Sequence, residues 1–206
     1  MHPATTSSAK RATDVIVASI ALLVTAPVIA VAALLIRATS PGPIVFRQPR
    51  VGLDGEHFEM LKLRSMTVDG DDGPHRDYSI HKLVDPDAAP TANGTFKLDD
   101  PRVTSIGRLL RRTSIDELPQ LVNVLRGEMS LVGPRPMLDW EFEHVRGVHR
   151  ERVATRPGIT GLWQVEGRSR LSTLEMLDLD VTYIDTWRPG LDLRILARTP
   201  CALLSR

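Results

Sequence analysis

Only one cysteine, Cys201, occurs in 206 residues, which excludes an intrachain disulfide and a multi-cysteine zinc site and fits a reducing compartment. Aromatic residues are scarce, at 4% against 42% hydrophobic residues overall, so aliphatic side chains must do most of the burying, in a core or against lipid. An excess of either charge is missing as well: 26 Lys and Arg against 25 Asp and Glu leave +1, which removes any bulk-charge argument for nucleic-acid binding. Internal repeats and low-complexity tracts are absent, and the length suits one domain, residues 1–206, with its own core.

What the chain does contain is a long apolar run. From Val15 to Ile36 there is no charged residue, enough to cross a bilayer as a helix. A buried core helix is the weaker alternative, because the run has no polar face. A cleaved signal peptide is weaker too, because Arg37 follows too closely for a small-residue cleavage site. Lys10 and Arg11 precede the run and Arg37, Arg47 and Arg50 follow it, so both flanks carry the cationic mark of the cytoplasmic side. Pro27, near the middle, removes a helical hydrogen bond and bends the axis. On the charges alone, a re-entrant helix over residues 13–37 and a kinked crossing helix stand level.

Residues 41–206 form the expected catalytic part, mainly helical α+β. Asp54-Gly55 reads as a hairpin turn between two short strands. In the second, His57 to Arg64, alternation sets Phe58, Met60, Lys62 and Arg64 on one face. Residues 69–100, rich in Asp, Gly and Pro, read as a long surface loop without calcium-loop spacing. Thr104 to Arg112 suits a short helix with a ridge of Arg108 and Arg111 or Arg112. Leu118, Leu121, Val122 and Leu125 recur at helical spacing before Gly127, and further helices fit Met137 to His149 and Thr173 to Thr186. The tail from Leu191 to Leu204 suits an amphipathic element at a membrane surface or a core helix about equally. His144 and His149 read as surface histidines with no zinc-ligand pattern.

The densest chemistry lies in Arg111-Arg112-Thr113-Ser114-Ile115-Asp116-Glu117-Leu118-Pro119. Ser114 and Glu117 have capping-box spacing, and Asp116 is the alternative cap, which spares Pro119 an interior position. From spacing alone capping outranks catalysis, although either register puts the pair where helix-end amides favour anions. The mechanistic reading makes Asp116 a nucleophile toward phosphorus and Glu117 its partner in holding Mg²⁺. Gly133-Pro134-Arg135-Pro136 fixes Arg135 between two prolines, as a phosphate clamp or a plain rigid turn. Gly158 to Arg168 is a glycine-punctuated loop, either ligand-approaching or structural.

These segments, in order, resemble the bacterial sugar transferase family of monotopic polyprenyl-phosphate phosphoglycosyl transferases. The likeness runs through the proline-broken helix, Phe46-Arg47-Gln48-Pro49-Arg50-Val51-Gly52, Lys62-Leu63-Arg64-Ser65-Met66, Ser114 to Gln120, Gly133 to Pro136, Gly158 to Arg168, and Leu179 to Ile184. The resemblance implies attack by Asp116 on a UDP-sugar with loss of UMP, then transfer of the phosphosugar to undecaprenyl phosphate, to initiate glycan assembly. It implies Glu117 and Mg²⁺ beside Asp116, and Lys62, Arg64, Arg111 and Arg135 on phosphate, with Arg168 on the nucleotide. It also implies a re-entrant helix at the cytoplasmic face of a bacterial inner membrane, and self-association is left open. Ala26-Pro27 departs from the Ser-Pro often found at the family's break, and without extra amino-terminal spanning helices the chain is expected to be the minimal catalytic form.

Two other classes compete. A non-catalytic membrane scaffold would bind anionic lipid or an assembly partner through the same cations, but has no need of Asp116. A metal-dependent glycosyltransferase would use Asp178-Leu179-Asp180, yet residues two apart on a helix diverge. The identity of the sugar is not encoded in any readable motif.

Overall fold

A single helical turn, α1 (Pro3–Thr6), leads into α2 (Ser8–Thr39), begun by Ser7, whose hydroxyl accepts from the Lys10 amide. This computed structural model describes residues 2–67, 80, 100–167 and 170–204. The loop expected at 69–100 therefore lies outside the described residues, apart from Ile80 and Asp100. Helix α2 is 32 residues long with Pro27 inside it, about 48 Å at 1.5 Å per residue. Beside the proline, the Thr25 hydroxyl donates to the Ala21 carbonyl at 2.6 Å, a back-bond that favours bending.

The less exposed positions of α2 include Arg11, Asp14, Ala18, Ala21, Leu22, Thr25, Ile29, Ala32 and Ile36, a helical stripe that runs its whole length. Opposite them Ile16, Ile20, Leu23, Val24, Val31 and Leu34 are exposed. The stripe touches one folded body at both ends. Near the start, Lys10 Nζ donates to the Val132 carbonyl, Arg11 to those of Val124 and Leu125, and Asp14 accepts from Ser130 Oγ and the Leu131 amide. Near the end, Ala32 and Ile36 pack with Leu63 and Leu110, and Arg64 donates to Ser40.

Strands β1 (Val45–Val51) and β2 (His57–Leu63) pair antiparallel in the register Val45 with Leu63 to Val51 with His57. The turn between them sets Asp54 at φ 54° and Gly55 at φ 84°, the left-handed geometry that Asp-Gly accommodates. Along β2 the expected alternation lapses, because Leu61 and Leu63 are buried as well as Met60. Helices cover both faces there.

Thr104 caps α3 (Ser105–Thr113) and Gly127, at φ 82°, ends α4 (Gln120–Arg126). Asn123, fully buried in α4, accepts from the Leu61 amide and donates to the Glu59 carbonyl and to Glu128, which ties the helix to β2. Strand β3 (Ser130–Val132) pairs parallel with β4 (Gly158–Thr160). Between them the helix expected from Met137 to His149 is shorter: α5 spans Asp139–His144, and a 3₁₀ segment follows from Gly147 to Ala154. The break falls at Val145 and Arg146, both extended, and the 3₁₀ segment restarts at Gly147, whose φ is 57°. Helix α6 (Leu162–Glu166), α7 (Thr173–Asp185, opened by a Ser172 and Glu175 capping box) and α8 (Pro189–Leu204) complete a single, mainly helical α+β domain. In α8 Ile195 is fully buried while Leu193 is exposed, so that helix serves the core on one side and presents an apolar residue on the other.

Candidate active site

The acidic pair lies between α3 and α4, on a 3₁₀ turn from Ile115 to Glu117. Ser114 reaches it in the left-handed region, at φ 58° and ψ 19°, uncommon for a residue with a β-carbon and a local strain of about 1–3 kcal/mol. Both expected capping registers are corrected here. Ser114 makes no side-chain cap bond, α4 starts only at Gln120, and Pro119 takes its N-cap position, where a missing N–H costs nothing. Asp116 is therefore not spent on capping. It is 6% exposed, and burial, with Glu117 beside it, pushes its carboxyl above the ordinary carboxylate range while Lys62 and Arg111 oppose that shift.

Lys62 projects from β2 to bring Nζ within 3.2 Å of Glu117 Oε1. Burial lowers its ammonium pKa, and Glu117 resists the change. Arg111, in the last turn of α3, also lies close enough for its charge to act on Asp116. Arg135 enters from the loop after β3, close enough for its charge to bear on Lys62, Arg50 and Asp180. Thus Lys62 and Arg111 bear directly on Asp116, Lys62 also holds Glu117, and Arg135 stands behind them beside Lys62.

Arg64 is placed differently. It is 5% exposed, and its Nη2 donates to the carbonyl and hydroxyl oxygens of Ser40, each at 2.8 Å, so one nitrogen closes the end of α2. Its Nε and Nη1 are buried with no hydrogen-bond partner among the described residues. Arg168 lies outside the described residues.

Sequence reasoning did not single out Arg50 for the site. Its side chain is buried, with Nη1 3.1 Å from the Pro136 carbonyl and 3.5 Å from Glu141, and Nη2 2.9 Å from Gln48 Oε1. Burial, then Arg135, lowers its pKa to about 10. The one available signal was its place in the Phe46 to Gly52 block, because β1 is mostly exposed and goes inside only at Arg50 and Val51, so the strand's own pattern did not mark Arg50.

Asp178 and Asp180 diverge, as their spacing requires: Asp178 meets His149 at 2.7 Å, whereas Asp180 is buried on Arg152. The two histidines are half-buried rather than superficial, His144 Nδ1 against the Trp140 carbonyl and His149 Nε2 against Asp178. No group of three or more His, Cys, Asp or Glu that could hold a metal occurs among the described residues. Two adjacent carboxylates with crowded negative charge nonetheless fit Mg²⁺, which takes one or two protein carboxylates and fills its shell with water and substrate phosphate.

A buried Asp116 beside a half-buried Glu117, with Lys62 and Arg111 close by, suits the phosphorus chemistry of the phosphotransferase class. The chain belongs to the bacterial sugar transferase family, whose model matches residues 5–206. It is 40% identical over 200 residues to the exopolysaccharide production protein ExoY of Rhizobium meliloti, covering 96% of this chain and 87% of that protein. It is 43% identical over 204 residues to a UDP-glucose:undecaprenyl-phosphate glucose-1-phosphate transferase of Caulobacter vibrioides, covering 95% and 70%. The Escherichia coli protein of the same name is 40% identical over 198 residues, covering 92% of this chain and 39% of its own length. The chain is accordingly a sugar phosphotransferase.

Proposed function

We propose that this protein moves a sugar 1-phosphate from a UDP-sugar to undecaprenyl or another polyprenyl phosphate, releases UMP, and does so through a covalent phosphosugar on Asp116. An Asp116 carboxylate oxygen attacks the sugar-linked phosphorus, and the bond from that phosphorus to the bridging oxygen breaks, so that UMP leaves with the electron pair. A phosphate oxygen of the lipid then attacks the same phosphorus, the acyl-phosphate bond breaks, and the carboxylate is restored. The observation that carries this reading is a buried Asp116 free of helix capping and flanked by Lys62 and Arg111.

Lys62, Arg111 and Arg135 would neutralise the donor diphosphate, which otherwise repels the acids. Asp116 and Glu117 would hold Mg²⁺, which supplies further charge neutralisation at the phosphates. Arg64 is proposed as a phosphate ligand through its two unpartnered nitrogens, and Arg168 as a nucleotide contact by family likeness alone.

The body bonded along one stripe of α2, and at both of its ends, supports a re-entrant helix with catalysis on one membrane face. A crossing helix would leave one end beyond the hydrocarbon from that body. Cationic residues at both ends make that face cytoplasmic, at the inner membrane.

The test is incubation of detergent-purified protein with a panel of UDP-sugars, Mg²⁺ and undecaprenyl phosphate, with UMP as readout. Acid quench and peptide mass spectrometry after donor alone should find the phosphosugar on Asp116. Turnover with Asp116 unmodified under labelled donor would overturn the covalent route.

A further inference from the structure

The loop carrying Arg135 is an unusual object to hold still. Pro134 and Pro136 have no N–H, so the main chain offers its neighbours chiefly carbonyl oxygens. The fold grips those oxygens one after another. The Val132 carbonyl accepts from Lys10 Nζ at 3.0 Å and Tyr183 OH at 3.1 Å, and that of Pro134 accepts from the Gly158 amide at 2.8 Å. The Pro136 carbonyl takes Arg50 Nη1 at 3.1 Å. The carbonyl of Arg135 itself takes Arg152 Nη2 at 2.7 Å, and the same nitrogen lies 2.7 Å from Asp180 Oδ2.

The last contact is the costly one. Arg152 and Asp180 are 5% and 2% exposed, and an ion pair taken so far from water roughly cancels its own attraction through desolvation. Asp180 Oδ1 is also buried with no hydrogen-bond partner among the described residues. A well-packed apolar pair would serve the core as well. What an apolar pair could not do is place a donor beneath the Arg135 carbonyl.

We propose that Arg152 and Asp180 are positioning residues for phosphosugar transfer: Asp180 orients Arg152, and Arg152 holds the Arg135 main chain so that the Arg135 side chain is aimed at the donor diphosphate beside Asp116. The inference rests on the reading of Arg135 as a phosphate-binding group. Lys10, Tyr183 and Arg50 fix the neighbouring carbonyls, so a loss at Arg152 leaves the loop in place but lets Arg135 turn.

A double-mutant cycle between Arg152→Lys and Arg135→Ala tests it, on the full chain, with initial rates of UMP release at varied UDP-sugar and melting temperature followed in parallel. Lysine keeps the positive charge, but its nitrogen sits one bond nearer the main chain than Arg152 Nη2, the single atom that serves both acceptors, so it falls short of them. Arg152→Lys should raise the donor KM and lower kcat/KM by about 10-fold or more. In the Arg135→Ala background it should change kcat/KM less than about 2-fold, because the group it aims is gone. Equal losses in both backgrounds, or no loss in either, overturn the proposal. If Arg135→Ala alone leaves kcat/KM unchanged, the phosphate-binding reading of Arg135 fails first and takes this inference with it. Should Arg152→Lys not fold, Asp180→Asn replaces it in the same cycle with the same two outcomes.

Discussion

Asn123 joins the strand that carries Lys62 to the helix that follows Asp116 and Glu117, so its loss should be felt in both stability and turnover. In Asn123→Ala the Leu61 amide, 3.0 Å from Asn123 Oδ1, loses its partner inside the core, and Glu128 loses a bond of 2.6 Å. An unsatisfied buried donor costs about 1–3 kcal/mol and a bond to a charged group about 1.5–3 kcal/mol. The exposed Glu59 regains water for its carbonyl, so the total comes to roughly 3 kcal/mol. For a domain of this size that lowers the melting temperature by about 6–12 °C.

The isosteric Asn123→Asp keeps the acceptor for Leu61 but sets a carboxylate against Glu128, and should be at least as damaging. Adding Glu128→Gln gives the introduced carboxylate a donor again and should restore part of the loss, the part at the Glu59 carbonyl remaining. The assay is thermal unfolding of detergent-purified variants, with UMP release measured well below the transition. Activity should fall about 10-fold or more in the single variants, because Lys62 is no longer held against Glu117. A melting shift under about 2 °C for Asn123→Ala, or no recovery from Glu128→Gln, would refute the reasoning.

Asp116→Asn should abolish turnover and yet stabilise the fold. A carboxyl whose folded pKa is raised binds protons more readily folded than unfolded, so its stabilising contribution is present below its ordinary value of 3.8 and is lost as pH rises through the folded value. The variant's gain in melting temperature, measured without divalent cation, should be largest at neutral pH and should shrink toward pH 4, about the ordinary carboxylate value. Gly158→Ala would set a β-carbon 2.1 Å from the Gly133 amide nitrogen, forcing β4 from β3 and loosening the Arg135 loop. Its activity should fall by about 10-fold or more, whereas Gly190→Ala, with nothing within 4 Å, should be neutral. Leu23→Lys, on the face of α2 where Leu23 is 78% exposed, should weaken liposome flotation by about 50-fold or more, from a cost near 2.5–3.5 kcal/mol. Its melting temperature in detergent should stay within about 2 °C of the wild type.

Much of the site was readable before the fold. Asp116 and Glu117 stood out because two acids beside two arginines are locally dense, and Arg135 because prolines on either side constrain it through bonds internal to the chain. The helix stops at Gly127 and the hairpin at Asp54-Gly55 are likewise local, since each depends on the φ angle of one or two residues. The cap expected at Ser114 or Asp116 does not form because Ser114 adopts a left-handed conformation that its own side chain does not favour and the chain turns through a 3₁₀ segment before α4 begins.

The apolar run, the acidic pair and the cationic motifs were thus determined by the sequence itself, through composition and short-range geometry. Only the tertiary structure decided that α2 lies along the body by one stripe, that Arg64 turns to Ser40, and that Arg50 and Arg152 grip the carbonyls around Arg135. The physical reason is range: a cap or a turn is set within a few residues, whereas a buried guanidinium must find its acceptors wherever folding brings them, here 86 and 17 positions along the chain.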